Sequence, residues 1–147
     1  MSGKGKATAA MIRLVIPAGK ATPSPPIGPA LGQRGVKAID FCKQFNEVTK
    51  VYQPETPMRV RIDVNPDKTF KFAVRTPTTT HFLLKAAGIE KGSGSTGHEV
   101  AGKISLKHIY EIAKIKQHDE NLRHLPLRSI CRMLIATSNT MGVLVVP

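Results

Sequence analysis

The sequence predicts an α+β chain of two small domains, an amino-terminal sheet-plus-helix domain and a carboxy-terminal three-helix domain. Three observations carry this. Residues 59–75 alternate apolar and polar side chains on either side of a turn, as a hairpin with one buried face does. Val36, Ile39, Cys42, Phe45 and Val48 recur at helical spacing, which predicts an amphipathic helix to cover that face. After Thr76-Pro77 the pattern turns helical in three stretches. With 147 residues the chain suffices for one ordinary domain or two with thin cores.

Taken in order, residues 1–11 are small, polar and basic and predict a flexible tail, with a targeting segment as the competing reading. Ile12, Leu14 and Ile16 alternate with Arg13 and Val15, so a strand with one buried face opens the first domain, residues 12–75. Pro23 to Gly35 follows, with four of the chain's eleven prolines. Proline fixes φ and lacks an amide donor, so Pro23–Pro29 is expected to be neither regular helix nor central strand. Ile27, Ala30 and Leu31 give this preordered loop an apolar underside. After the predicted helix, Val60, Ile62 and Val64 face one way and Phe70, Phe72 and Val74 join them across a turn at Asn65-Pro66-Asp67-Lys68. The hairpin's other face is basic.

Thr76-Pro77 opens the second domain, residues 76–147. Thr76 precedes a proline, which favours extended geometry, and is placed to cap a helix starting at Pro77 and stopping at Gly88. Gly88 to Gly102 holds five glycines and few apolar residues, a composition that predicts ordering on binding. Ser105 caps a helix carrying Leu106, Ile109, Ile112 and Ala113. A polar link from His118 to His124 leads to Pro126 and a last helix, with Leu127, Ile130, Cys131, Leu134 and Ser138 on one face. Gly142 ends it, and Val143 to Val146 read as a short strand.

The net charge is +12, which points to nucleic acid or an anionic surface as partner. Residues 1–75 carry 13 basic and 5 acidic side chains and residues 76–147 carry 9 and 5, so both halves can face phosphate. No apolar run approaches the ~20 residues of a spanning helix, so no integral membrane role is expected. Cys42 and Cys131 lie on apolar helix faces without metal-binding spacing and read as buried thiols of a reducing compartment. The five histidines form no metal-binding pair, Ser24 has no adjacent base, and the Gly-Ser-Gly at 92–94 lacks the Gly-Lys-Ser/Thr of a phosphate loop. No catalytic residue, metal or cofactor is expected. In the glycine loop, Lys91 and Lys103 can meet phosphates, and Ser93, Ser95 and Thr96 can bond sugar and phosphate oxygens.

The wording of two regions is more specific than their composition. Pro23-Ser24-Pro25-Pro26-Ile27-Gly28-Pro29-Ala30-Leu31-Gly32-Gln33-Arg34-Gly35-Val36, followed by Asp40-Phe41-Cys42-Lys43 and Phe45-Asn46, resembles the signature of the large-ribosomal-subunit protein eleven family. A second match comprises Thr76-Pro77, Leu83 to Ile89, Lys91-Gly92-Ser93-Gly94 and Gly102-Lys103-Ile104-Ser105. The likeness runs from about Ile12 to Val146. It implies a structural constituent of the large ribosomal subunit that binds its rRNA at the stalk base, the GTPase-associated centre. By the same resemblance the proline loop meets translational GTPases, and thiopeptide antibiotics wedge between it and the RNA.

The residues implied for the rRNA contact are Thr76, Pro77, Thr78 and Lys85, then Lys91, Gly92, Ser93, Gly94 and Lys103. Arg132, Thr137, Ser138, Asn139, Thr140, Met141 and Gly142 complete them. Those implied to face factors are Pro23, Ser24, Pro25, Pro26, Gly28 and Pro29. Family members commonly carry an arginine just before the Ser/Thr-Met-Gly step, where this chain has Asn139-Thr140. Neighbouring stalk proteins are the other implied partners, with no membrane partner and no homo-oligomer. The high charge, the basic, acid-free start and the Val-Val-Pro end favour a mitochondrial ribosome over one in bacterial cytoplasm. The alternative from another class is a basic DNA-binding or chromatin module built on three helices. Against it stands the long, proline-containing link between the last two helices.

Overall fold

The computed structural model describes residues 10–147, so residues 1–9 of the expected basic tail lie outside it. The chain forms two compact units, one up to Arg75 and one from Thr76 to Pro147.

The first unit has a three-stranded sheet of order β1-β2-β3, from Ala10–Pro17, Pro57–Val64 and Phe70–Pro77. Ala10 and Met11, expected in the tail, belong to β1 and pair with Val64 and Asp63. The β1–β2 ladder is antiparallel and sets Ile12 against Ile62, Leu14 against Val60 and Ile16 against Met58. Alternation then puts these six on one face, where they join the core. Helix α2, Ala38–Thr49, covers that face with Phe41, Cys42 and Phe45. Phe41 stands edge-on to Phe70 and Phe72, with ring centroids 6.0 and 5.4 Å away. Such pairs add about 0.5–1.5 kcal/mol each beyond area burial.

That aromatic contact explains why the helix is turned from its expected face. Ile39 and Val48 are exposed, and Val36 is buried but lies before the helix starts. Phe41 and Phe45, one turn apart, carry the largest apolar areas and set the rotation, which brings Thr49 inward as well. Thr49 is satisfied there, because its hydroxyl donates to Phe45 O at 2.7 Å and accepts from Gly19 N at 3.1 Å. Burial pushes the Cys42 thiol up from its ordinary pKa.

The proline stretch also departs from expectation. Ile27–Gly32 forms a short helix, α1, with Pro29 inside it. Proline is tolerated there because first-turn amides have no intrahelical partner to lose. Ile27 and Leu31 are buried beneath it, and Ala30 is half-buried. The approach to the loop is clamped by Asn46, whose side chain accepts from Ala21 N at 2.9 Å and donates to Ala21 O at 3.2 Å.

The second unit contains helices α3 (Thr79–Ala87), α4 (Leu106–Gln117) and α5 (Leu127–Thr140). It also holds a two-stranded sheet, so the three-helix description is incomplete. Strands β4 (Gly102–Ser105) and β5 (Val143–Val146) pair in parallel, with Gly102 opposite Val143 and Ser105 opposite Val146. The core joins Leu83, Ile104, Ile109, Ile112, Ile130, Leu134 and Val143, while Leu106, expected inside, is exposed. Ser105 caps α4 by accepting from Lys107 N at 3.2 Å. The cap of α3 is Thr78, whose hydroxyl faces His81 N at 3.4 Å, and not Thr76.

Thr76 is committed to a buried network. Its amide and hydroxyl donate to the Asp119 carboxylate at 2.9 and 2.7 Å. Lys116, 2% exposed, donates to Thr76 Oγ1 at 2.9 Å and to Pro77 O at 2.5 Å, and lies 3.6 Å from Asp119 Oδ2. Removing one member of a buried pair leaves the other charge uncompensated, at a cost of about 3–5 kcal/mol. Asp119→Ala should therefore lower unfolding free energy by about 3 kcal/mol in urea melts. Adding Lys116→Met to it should restore part of that loss. An Asp119→Ala effect within the ~0.5 kcal/mol typical of surface changes would show that the pair does not hold the unit.

Candidate nucleic-acid interface

Two of the stretches expected to touch RNA meet in the structure. The glycine loop between α3 and β4 lies against the carboxy-terminal end of α5. Ser93 N donates to Met141 O at 3.0 Å and Ala101 N donates to Gly142 O at 2.8 Å. A helix end leaves its last carbonyls without intrahelical partners, and the two ends of the loop supply donors just there. The loop was expected to order on binding. In the structure it is fastened by hydrogen bonds at Ser93 and Ala101, which stand in for the apolar burial that its composition cannot provide.

This docking depends on absent side chains. Gly142 has φ 73°, and a Cβ on it would lie 2.5 Å from Ser93 Cβ and 3.2 Å from Glu99 O. A Cβ on Gly92 would lie 2.8 Å from Met141 O. Beside the contact, residues Gly97 to Val100 face Asn139 and Gly142 to Leu144 across a groove of about 280 Å³. Its apolar members Val100 and Leu144 are exposed, as is Asn139. The sequence reading missed Glu99, Val100 and Leu144. Their proximity follows from the parallel β4–β5 pairing, which no local pattern announces.

On α5 the side chains divide by face. Ile130, Leu134 and Ser138, at i, i+4 and i+8, are buried. Arg128, Arg132 and Asn139, at i, i+4 and i+11, are exposed on one stripe that leads to the groove. Ser138, expected at the RNA, is wholly buried and donates to Val143 O at 2.7 Å. A hydroxyl that far inside must bond internally, and here it fastens β5 to α5. Thr137 and Thr140 donate back to Met133 O and Thr137 O, leaving their oxygens as acceptors. Lys85, Lys91 and Lys103 are exposed, and Gly94 has open space around it. Near Lys85, burial and then that lysine's charge hold His81 below its ordinary pKa.

The third stretch, Thr76 to Thr78, is held apart from this contact, with Thr76 and Thr78 half-buried. Its hydrogen bonds run to Asp119, Lys116 and His81 instead of to the loop, and Pro77 is buried. In the first unit, Pro23, Ser24, Pro25, Pro26 and Pro29 are all exposed. Gly28 sits so close to the turn that a Cβ there would lie 2.3 Å from Pro23 O.

Residues 75–145 match the family described as ribosomal protein L11, RNA binding domain, and residues 12–70 match the ribosomal protein L11 N-terminal domain. The chain belongs to the ribosomal protein L11 family. It is 53% identical over 137 residues to the large ribosomal subunit protein uL11m of Schizosaccharomyces pombe, covering 93% of this chain and 95% of that one. The proteins of the same name from Caenorhabditis elegans and Drosophila melanogaster are 48% and 46% identical. Those matches span 91% and 89% of this chain and 68% and 67% of theirs. These relatives place the chain with the mitochondrial form of the L11 family, whose members are structural and not enzymes. The chromatin-module alternative falls with that assignment.

The docking makes a direct test possible. Gly142→Ala should speed amide exchange at Ser93 and Ala101, the two donors to the α5 end. It also places a side chain at positive φ, at a cost of about 1 kcal/mol or more. Gly94→Ala, where a Cβ meets nothing within 4 Å, should leave exchange at both amides unchanged. Equal effects from the two variants would show that the close approach at Gly142 does not hold the loop.

Proposed function

We propose that the chain is a structural constituent of the mitochondrial large ribosomal subunit, binding its rRNA at the stalk base through residues 76–147. The observation that carries this reading is the union of the glycine loop with the end of α5, within the span that matches an RNA-binding domain. Close-set backbone flanked by cations suits the shallow minor groove of folded RNA, which is read by shape, 2′-hydroxyl and phosphate. Lys91, Lys103 and the Arg128–Arg132 stripe supply phosphate contacts, and Asn139 and Thr140 supply polar ones. In this reading Arg132 and Asn139, sharing one face, take the place of the arginine that the family commonly carries before its Met-Gly step. Gly92, Ser93, Met141 and Gly142 shape the surface, while Thr76, Pro77, Thr78 and Ser138 hold it from within.

The proline loop is proposed to face the translational GTPases and neighbouring stalk proteins. Its support is exposure on one side and anchorage on the other: exposed prolines stand over buried Ile27 and Leu31, and Asn46 pins Ala21. A preordered segment loses little entropy when a partner docks.

Two measurements test these roles. For stalk-base RNA, Lys91→Gln and Lys103→Gln should each reduce the log–log salt slope of binding by about 0.7–0.9. Ser138→Ala should lower stability and leave the slope alone. Unchanged slopes in both lysine variants would remove the loop from the contact. For the first unit, Pro25→Ser and Pro29→Ser should leave RNA affinity intact and weaken factor-stimulated GTP hydrolysis on reconstituted ribosomes. Each residue freed adds on the order of 1 kcal/mol of ordering entropy to factor docking. Loss of RNA binding with a normal factor response would reverse the two assignments.

A further inference from the structure

Half of the chain's arginines stand on one face of one sheet. Arg13 of β1, Arg59 and Arg61 of β2 and Arg75 of β3 alternate with the core-facing residues Leu14, Val60, Ile62 and Val74. They therefore project from the side of the sheet opposite α2. Lys71 of β3 joins them. The acid among these outward positions is Asp63, which accepts from Arg61 Nε at 3.1 Å.

Folding does not call for this arrangement. Arg13 lies directly across the antiparallel ladder from Arg61, and like charges so placed destabilise a sheet. The same face carries no aromatic side chain, and its exposed apolar residues are Met11, Val15, Pro17 and Ala73. Without aromatic platforms it cannot stack bases. Without Trp or Tyr it lacks the aromatic anchors that share with arginine most of the binding energy at protein–protein interfaces. What it offers is a grid of cations, with alternate residues about 6.8 Å apart along each strand and neighbouring strands about 4.8 Å apart. Most of these cations are guanidinium forks, which take two phosphate oxygens at once where an ammonium presents a point charge.

We propose that this face docks an RNA backbone, reading phosphate and not sequence, separately from the interface of residues 76–147. That the polyanion is RNA rests on the ribosomal reading above, whereas its anionic, base-independent recognition rests on the face itself. A contact of this kind adds affinity that is steep in salt and the same for every sequence.

The test uses the full chain and two RNAs, the stalk-base segment and an unrelated hairpin. Arg13→Gln/Arg59→Gln/Lys71→Gln removes three cations and leaves the Arg61–Asp63 pair intact. It should reduce the salt slope by about two on either RNA, leaving the preference for the stalk-base segment unchanged. Its thermal midpoint should not fall, because the Arg13–Arg61 opposition is relieved. Lys37→Gln/Lys43→Gln/Lys50→Gln, matched in charge and placed on or beside α2, should change the slope by less than one contact. An equal loss in that control would overturn the proposal in favour of net charge alone. So would a slope unchanged in the sheet variant, or a loss confined to anionic vesicles or polyglutamate. Loss of the preference for stalk-base RNA in wild-type protein would instead count against the proposed function and leave the sheet face standing.

Discussion

The approach of backbone to backbone at Gly142 is the constraint on which the second unit's surface depends. It lets Met141 O and Gly142 O take donors from Ser93 and Ala101. One residue further on, Val143 begins the parallel pairing with Gly102. The same turn presents Val143 O to the buried Ser138 hydroxyl. Helix end, loop and strand pair are thus fixed by one short run of chain. A side chain at Gly142 would push against both Ser93 and Glu99 O, so the strain could not be relieved by moving one partner alone. The groove beside Asn139 exists because these pieces are held together and yet not filled.

Much of this was legible in the sequence where the signal is periodic and local. The hairpin alternation placed Val60, Ile62, Val64 and the phenylalanines correctly on one face, because a strand's period of two leaves little freedom. The α5 face was also legible. Helical spacing had already put Ser138 beside Ile130 and Leu134, and burial bears that out. The run of small polar residues and the family likeness together point Ser138 toward RNA, whereas periodicity alone points to its observed burial. Helix α2 was read less well, since spacing found a helix but not which of two overlapping faces turns inward. Phe41 decides that, through aromatic contacts with β3 residues thirty positions away.

What was illegible is non-local. Strand β4 has only four residues and pairs with a strand beyond two helices, so neither length nor alternation marks it. Lys116 falls four residues after Ile112, on the apolar face of α4, where spacing gives no sign of its partner, and Asp119 reads as part of a polar link. Only the fold brings both to Thr76, where the pair is worth keeping because every partner is satisfied. The glycine loop showed the limits of composition. Its poverty in apolar residues predicted disorder, but backbone donors near a helix end can anchor a chain without burying hydrocarbon.

That last point bears on how such a surface binds. Were the loop to order only on RNA, its ordering entropy of about 1–2 kcal/mol per residue would subtract from affinity. With Ser93 and Ala101 held in the free protein, that cost falls only on the stretch between them, where Ser95 through Val100 are exposed. Ser95 N bonds Ser93 Oγ at 3.1 Å, and His98 and Glu99 amides bond Ser95 O at 3.1 Å each, so even that stretch is partly turned in advance. The anchored ends set where Lys91 and Lys103 leave the backbone, and in the proposed role the exposed middle is the part left to fit an RNA groove. A surface built this way gains shape from glycine and charge from lysine and arginine, and each contribution can be removed without the other.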